Sequence, residues 1–460
     1  MSTGTLTAVV IGLTVFTTAV VTVLWWAGTR GLTDDKLVTA RFEALRIGLS
    51  IGIGGGGVFA LYLTWRRQRA TEDDLDNRER ALALQQQVAA DTVAHQQRTA
   101  DTSEKDAAER RITELYTKSA DQLGSDKAPI RLAGLYALER LAQGNPEQRQ
   151  TIASLLCAYL RMPFQLPGEP PIETDKDLVA AHQAQVQERE VRVAAQRVLS
   201  HHLLPGPDQA LPTFWSGITL DLSGATLIDV DLIDCRVKAV RFAGATFEGA
   251  AQFRNLRVDG PASFAGAHFA ADTGLELVRF SASADFSGTR FSGHAEFIGS
   301  TFAGSAGFDG VKFDGRGGFE RVTFDGVVSF ENAEFGAAAR FHHAEFRAAC
   351  RFGKAEIAGK TTFYGVRFAR GGVFDNVTFA EDAEFVHTSF DGPAWFRRAR
   401  FGGLARFDPV KFAGPVHLEN AEFADSAAFG GATFGVAPIL EGAEFAKGTR
   451  AVLEEAHGTG

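Results

Sequence analysis

The large apolar residues in the second half of the chain follow a strict spacing. From Leu222 the register advances in steps of five, and from Phe247 it alternates steps of six and five without a slip to Phe445. Phe occupies 33 of the 38 register positions from Phe242 onward, and every Phe after residue 220 lies on the register. The other five positions hold Val258, Leu275, Ile357, Leu418 and Leu440. This spacing predicts a repeat that buries one large side chain per unit.

A second rule holds two residues before each register position, where the side chain is nearly always small, as at Ala225, Cys235 and Ala245. Residues two apart on an extended chain point to the same side. Each unit therefore supplies one small and one large inward group, and Cys235 and Cys350 are predicted to be core residues. The structural core of the repeat is predicted to include Leu222, Leu227, Leu232, Phe242, Phe253, Phe297, Phe341, Phe385 and Phe429.

The same spacing excludes an α-helix. A step of five residues turns a helix by ~500°, which would leave consecutive Phe residues ~140° apart. Short strands that turn a corner every five or six residues satisfy the pattern, and stacked units of this kind form a solenoid. Four faces of five, six, five and six residues predict a 22-residue coil. Ten to eleven such coils, spaced at ~4.8 Å, predict a rod about 50 Å long.

The first 65 residues show a different pattern, with two long uncharged runs. Residues 6–27 and 47–65 are each long enough to cross a bilayer as a helix, and both end in tryptophan. They predict a transmembrane hairpin with a loop over residues 30–46. The alternative, a cleaved signal peptide that leaves one span, is disfavoured because the chain has no basic start. Arg66, Arg67 and Arg69 after the second run favour a cell-membrane protein whose bulk is cytoplasmic.

Three glycines in the second run, Gly48, Gly52 and Gly56, repeat every four residues and share one helix face. Small residues let helix backbones approach closely within a membrane. This face is predicted to pack against the first helix of the same hairpin. The alternative that the sequence leaves open is pairing between two copies of the chain.

The region between the hairpin and the repeat is helical by pattern. Residues 68–122 contain no Gly or Pro and predict a solvated helical stalk; a coiled coil is disfavoured because Leu75 and Leu82 are followed at heptad spacing by Ala89 and Gln96. Residues 123–204 show clearer apolar periodicity and predict a small helical module that resembles a HEAT-type helix pair. Cys157 falls within an apolar run of this module and is predicted to be core. Residues 205–211 form the last linker.

Composition narrows the function classes. The 460 residues carry a formal net charge of −9, which gives no reason to expect nucleic-acid binding, and three cysteines exclude a disulfide scaffold. His343 and His387 align on the rod but lie two coils, or ~10 Å, apart with Gly365 between them, which is too far for a shared metal ion. We predict no catalytic, cofactor-binding or metal-binding residue, and therefore no enzyme and no cofactor.

The units DLSGA-TLIDV-DLIDC and AxFxG-AxF resemble pentapeptide-repeat proteins, over about residues 212–447. The resemblance implies a right-handed quadrilateral β-helix. The whole layout, with the helix RLAGLYALERL at Arg131 to Leu141, also looks like uncharacterised bacterial membrane proteins of this type. The expected fold class is therefore α plus β-solenoid: a transmembrane hairpin over residues 1–67, the stalk, the module, the β-helix, and a C-terminal cap or tail over 448–460.

Two functions remain open at this point. The first is a membrane-anchored, non-enzymatic scaffold that presents the rod to protein partners not identified by the sequence. The second comes from the resemblance, since some pentapeptide-repeat proteins mimic DNA and bind type II topoisomerases. Residues 212–460 carry 31 acidic and 24 basic side chains, a net of −7. Opposite charges are predicted to stack one coil apart and so to pair, which disfavours mimicry: Glu345 with Arg367, Arg400 with Glu422, and Glu384 with Arg406.

Overall fold

The computed structural model describes residues 3–31, 34–171, 176–207 and 211–446. The chain divides into two compact units, residues 1–109 and 110–460. The boundary falls inside one long helix. The proposed C-terminal cap over 448–460 lies outside the described residues.

The first unit contains α1 (Thr3–Thr29) and most of α2 (Asp34–Leu123). Each of these two helices contains an apolar segment long enough to cross a membrane. The predicted loop over 30–46 is largely wrong, because α2 already begins at Asp34. Residues 34–46 contain no Gly or Pro, so the helix that holds the second apolar segment extends N-terminally through them without interruption.

The second unit begins with a helical module. It consists of α3 (Ala128–Gly144), a 3-10 turn (Pro146–Gln148), α4 (Arg149–Arg161) and α5 (Lys176–His202). Pro146 follows the last residue of α3 closely and stops that helix, since proline has no N–H to donate. The three helices pack around side chains that are fully buried: Leu135, Leu138, Ile152, Leu156, Leu160 and Val191.

The rest of the second unit is a parallel β-solenoid of about ten coils with four faces, which confirms the predicted fold class. Two longer strands, Thr226–Asp231 and Thr246–Gln252, run round a corner and join faces 2 and 3 in one sheet. Face 1 contains Thr219–Asp221, Ala239–Arg241, Ala262–Ser263, Ala284–Asp285, Ala306–Gly307, Val328–Ser329, Cys350–Arg351, Gly372–Val373, Ala394–Trp395 and Val416–His417. Face 2 contains His268–Phe269, Arg290–Phe291, Lys312–Phe313, Glu334–Phe335, Glu356–Ile357, Thr378–Phe379, Arg400–Phe401, Glu422–Phe423 and Glu444–Phe445.

The remaining strands complete each coil. Face 3 contains Thr273–Gly274, Ala295–Glu296, Gly317–Gly318, Ala339–Arg340, Thr361–Thr362, Ala383–Glu384, Ala405–Arg406 and Ala427–Ala428. Face 4 contains Arg236–Val237, Arg257–Val258, Arg279–Phe280, Thr301–Phe302, Thr323–Phe324, Glu345–Phe346, Arg367–Phe368, Thr388–Phe390, Val410–Phe412 and Thr433–Phe434.

Strand pairing fixes the coil at the predicted length through most of the rod. Phe280 pairs with Phe302 and Phe302 with Phe324, each 22 residues further along. The first coil is shorter, since Leu220 pairs with Val240 and Leu227 with Phe247. A parallel register places identical positions on top of one another, so the inward rings form continuous columns. Along one column the ring centroids of Phe297, Phe319 and Phe341 are 4.8 and 5.0 Å apart and the rings are nearly parallel.

The two step lengths produce two kinds of corner. The corners that follow faces 1 and 3 span a five-residue step of the register. In these corners, most residues two positions after the inward register residue have a left-handed backbone. His343, two residues after Phe341, has φ 56°, and Gly365, two residues after Phe363, has φ 67°. At one six-residue corner, by contrast, the available space requires glycine at position 326. A Cβ on Gly326 would lie 2.2 Å from the carbonyl oxygen of Gly304 in the coil below. Backbone geometry thus restricts some corner positions, such as Gly326, to glycine, whereas the left-handed corners also accept other residues, such as His343.

Replacing one ring of a column should destabilise the β-helix. Phe297 is fully buried, so Phe297→Ala should lower the free energy of unfolding by about 3–5 kcal/mol, through lost transfer energy and a cavity. Urea unfolding of the full-length chain, followed by circular dichroism, measures the change. Val327→Ala is the matched control because Val327 is 42% exposed on the same rod. Equal losses in the two variants would contradict the packing argument.

Candidate interaction surface

The residues predicted as the structural core of the repeat all lie inside the rod. Their exposed fractions range from 0% for Phe242, Phe253 and Phe297 to 6% for Leu232. They form the columns described above and present no chemistry to solvent. Any function of the β-helix must therefore be carried by outward side chains, by the corners or by the ends.

Among the residues that the structure describes, no further strand pairs with the outer edge of the first coil, and two glutamines of the helical module satisfy this edge. The Gln150 side chain accepts from the Thr219 N–H at 2.9 Å and donates to the Thr219 carbonyl at 2.9 Å. Gln196 does the same at Ile228, at 2.9 and 2.6 Å. A primary amide carries one donor and one acceptor side by side, so it replaces the peptide group of a missing neighbouring strand.

Other contacts join the module to this coil. Trp215 is 1% exposed, stacks on His202 with ring centroids 3.9 Å apart, and donates from Nε1 to Gln143 at 3.0 Å. The two ring nitrogens of His202 lie 2.7 Å from the Thr213 carbonyl oxygen and 2.9 Å from a Glu139 oxygen. The module is therefore an integral cap of the β-helix.

Within the module, a buried charge network holds the chain that leaves α4. Arg192 is 2% exposed; it donates to a Glu188 carboxylate oxygen at 2.8 Å and to the carbonyls of Leu160 and Met162 at 3.0 and 2.8 Å. Arg131 pairs with the same carboxylate at 3.1 Å. The guanidinium of Arg192 satisfies carbonyls at the C-terminal end of α4, so the network has a structural role in ending that helix.

The three cysteines are buried thiols, as the spacing predicts. Desolvation raises the pKa of Cys157 and that of Cys235 to about 12, and it raises the pKa of Cys350 well above its usual value. A thiol must ionise to act as a nucleophile or metal ligand. These cysteines are therefore poorly suited to either role.

The outer faces carry charge pairs between neighbouring coils. Arg400 pairs with Glu422 at 3.2 Å and Arg406 lies 3.7 Å from Glu384, as predicted. Glu345 lies beside Arg367 in register, but Arg367 pairs instead with Asp391 at 2.8 Å. Asp391 lies two positions beyond Ser389, the residue stacked on Arg367 in the next coil. Its carboxylate is nearer to the Arg367 guanidinium than the carboxylate of Glu345 in the preceding coil. These exposed pairs neutralise part of the carboxylates along the rod, although each contributes little to stability.

One corner of the rod carries an exposed aromatic cluster, which we call the Tyr364 corner: Tyr364, His342, His343 and His387. Tyr364 is 42% exposed, and its ring centroid is 5.4 Å from those of both His343 and His387. His342 lies 6.1 Å from the same ring and hydrogen-bonds Thr362 at 2.7 Å. Burial lowers the pKa of His342, which favours its neutral form. The tyrosine ring thus fills the gap between the two histidines that the spacing places two coils apart.

The Tyr364 corner has the composition of a protein-binding surface. Tyrosine and arginine are enriched where proteins meet, and large rigid rings dominate binding energies. Arg321, one coil below His343 in the same corner column, and Arg340, close to His342, take part in no ion pair among the described residues. Imidazole and guanidinium groups supply hydrogen-bond donors, so the corner suits a partner surface rich in acceptors.

Metal binding receives no support from the described part of the chain, where no group of three or more His, Cys, Asp or Glu side chains could hold an ion.

The glycine face of α2 lies partly against α1. A Cβ on Gly48 would lie 2.0 Å from Val21, and one on Gly52 would lie 3.2 Å from Thr17. Gly56 has no neighbour within 4 Å. The pairing of this face between two copies of the chain stays a prediction.

Comparison with known families agrees with the geometry. A family model described as pentapeptide repeats (9 copies) matches residues 242–290, 275–323, 286–334, 308–356 and 319–367. No curated protein and no solved structure matches the chain. The matched residues all lie within the Phe-filled coils and include Tyr364, His342 and His343, whereas His387 lies beyond the last matched residue.

The sequence pattern missed three features of this unit: the glutamine contacts at the first coil, the Arg192 network, and the tyrosine between the histidines. Only the third left a signal, since residues 22 apart stack and Tyr364 stands next to Gly365 in that column.

The glutamine contacts lead to a test of the cap. Gln196→Ala leaves the N–H and carbonyl of Ile228, a residue 3% exposed, without partners, which should cost about 1–3 kcal/mol. In the full-length Gln196→Ala variant, amide hydrogen exchange in residues 219–237 should be faster than in the unsubstituted chain. Exchange in the middle coils should change less. Gln187→Ala is the matched control, since Gln187 is an exposed residue of the same helix. Unchanged exchange in Gln196→Ala would show that the amide does not hold the edge.

Proposed function

From the premise that this chain is a pentapeptide-repeat β-helix protein, we propose that it is a membrane-anchored, non-enzymatic scaffold. In this role α1 and the apolar part of α2 anchor the chain in the cell membrane. The β-helix presents a rigid surface to a protein partner on the cytoplasmic side. The observation that carries the proposal is the exposed Tyr364 corner on a rod whose interior is filled by stacked rings.

Rigidity is what such a rod contributes to binding. Phe341 and Phe363 lie directly inside the coils that display His342 and Tyr364, and both are fully buried. Neighbouring rings in that column are 4.9 Å apart. A surface held in place by its own core loses little conformational entropy when a partner binds, which favours affinity. This argument supports recognition by shape and hydrogen bonding at a fixed corner.

Two further observations support the membrane anchor. Over α1, uncharged residues extend from Thr3 to Thr29, and Arg30 follows with its guanidinium 3.5 Å from the Trp26 ring centroid. At the end of the apolar run in α2, Arg69 lies 5.3 Å from the Trp65 ring. Tryptophan paired with arginine is typical of the interface between hydrocarbon and water.

The DNA-mimic function has weaker support than the scaffold. A mimic needs a face of unpaired carboxylates that stands in for phosphates. On this rod Asp259, Asp314, Glu334, Asp375 and Asp391 are each within 3.0 Å of a Lys or Arg side chain. Carboxylates paired in this way cannot stand in for phosphates, so we do not propose topoisomerase binding.

Cysteine labelling in intact cells tests the anchor and its orientation. The three native cysteines are buried and give a silent background, so single exposed cysteines can be introduced at Lys36 and Gln86. With a cytoplasmic bulk, Lys36→Cys should react with a membrane-impermeant maleimide in intact cells. Gln86→Cys should react only after lysis. The reverse pattern would invert the orientation, and recovery of the unlabelled protein in the soluble fraction would contradict the anchor.

Site-specific photo-crosslinking tests the Tyr364 corner. Benzoylphenylalanine placed at Tyr364 in the full-length chain should give a discrete adduct in cells, because this ring is at the centre of the proposed contact. The same probe at Val327, which is equally exposed on the rod, is the matched control and should give none. His343→Ala should weaken the adduct at position 364. Identical adducts at both positions would contradict a specific corner, and a topoisomerase subunit in the adduct would favour the mimic.

A further inference from the structure

A cavity lies where the helical cap meets the β-helix. Its volume is about 420 Å³, within the range of small-molecule pockets, and it lies between α5 and the first coil. Its walls include Leu160, Leu199, Leu222, Leu227 and Phe242, each at most 5% exposed. Nothing in the proposed scaffold role uses this cavity.

The cavity arises from a change in the core repeat. In the first coil the inward positions hold Leu222, Leu227 and Leu232, whereas the next coil holds Phe at the stacked positions Phe242 and Phe247. A leucine side chain fills less of the coil interior than a phenyl ring. The side chains of α5 above do not fill the remainder. An apolar occupant would be favoured on the leucine side of the cavity, because it would remove apolar surface from water.

The hydrogen-bonding groups at the mouth of the cavity are almost all engaged within the protein. Arg189 donates to Glu190 at 3.1 Å and to Asp229 at 3.4 Å. Asp231 accepts from the backbone N–H of Ile233 at 3.0 Å. The Gln196 amide is occupied by the first-coil backbone, as described above.

Arg197 is the exception at the mouth. Its side chain is exposed and takes part in no ion pair or side-chain hydrogen bond among the residues that the structure describes. A free guanidinium beside an apolar cavity complements an anionic oxygen group and binds carboxylate or phosphate with well-defined geometry. Arg197 therefore offers a free cationic donor at the mouth, where Asp231 also takes part in no ion pair among the described residues.

We propose that this cavity binds a single-chain amphiphile with an anionic head, the apolar chain lying among the first-coil leucines and the head against Arg197. The ligand would join α5 to the first coil and so strengthen the cap. This binding is separate from the partner contact at the Tyr364 corner and does not depend on it.

The test is a binding titration with ligands that have alkyl chains of matched length and different head groups. The full-length protein in nanodiscs of zwitterionic lipid is titrated with octanoate, octyl phosphate, octanol and octylammonium. Bound ¹³C-labelled octanoate is followed by NMR, and the other three compounds by competition. Octanoate or octyl phosphate should bind at least about ten-fold more tightly than octanol, because a hydrogen bond to a charged group contributes that much. The relative affinities of the two anions distinguish a carboxylate from a phosphate head.

Variants of the protein distinguish binding of the ligand in the cavity from its partitioning into the nanodisc lipid. Leu222→Phe with Leu227→Phe fills the cavity with the residue that the later coils use, and it should abolish octanoate binding while the chain stays folded. Arg197→Gln should weaken octanoate about ten-fold and leave octanol unchanged. Arg140→Gln, an exposed arginine of α3 away from the cavity, is the control and should change neither.

Three results would overturn the proposal. They are unchanged octanoate binding in the filled variant, tighter binding of octylammonium than of octanoate, and no effect of Arg197→Gln. The third test stays decisive if the filled variant does not fold, because Arg197 is exposed and its replacement leaves the core intact.

Discussion

The structure depends on the vertical stacking of inward phenylalanine rings at a repeat of 22 residues. Phe308 and Phe330 illustrate it: their centroids are 4.7 Å apart, close to the spacing of strands in a sheet. The same distance therefore suits both the backbone hydrogen bonds and the offset stacking of aromatic rings. Neither interaction has to be strained to satisfy the other. A two-residue strand is too short to be stable alone, and here each one is held by its ring beneath and by neighbours above and below.

A stack of this kind has a cost at its two ends, where edge groups lose their partners. The first end is covered by the helical module. The amide side chains of Gln150 and Gln196 take the place of a strand there, and Trp215 stacks on His202. The module cannot supply rings in register, because its helical period does not match the coil. The first coil holds Leu222 and Leu227 where the next coil holds Phe, and the cavity at the junction lies beside these leucines.

How much of this the sequence reveals depends on whether a feature repeats. The column through Phe253, Phe297 and Phe341 can be predicted from the sequence because large apolar residues recur at the same spacing along the whole repeat. Gln196 contacts Ile228 once, 32 residues away, and no periodicity marks such a pair. The loop over residues 30–46 was wrongly predicted for a related reason, since hydropathy locates an apolar segment but gives no information on how far its helix continues beyond it. The His343–His387 alignment was correct in spacing, whereas the ring of Tyr364 between them depends on side-chain orientation.

The same constraint decides where outward side chains can form an exposed cluster. On the faces, outward side chains stand one coil apart, and long charged groups there find opposite charges within reach, as Arg400 and Glu422 do. At the corners, a left-handed residue such as His343 directs its side chain over a glycine of the next coil, where a Cβ on Gly365 would lie 2.6 Å from His343 Nδ1. Space for a ring exists there because the neighbour has no side chain. An exposed aromatic cluster can therefore form at a corner without disturbing the core, and this is where a rigid repeat can vary its surface for recognition.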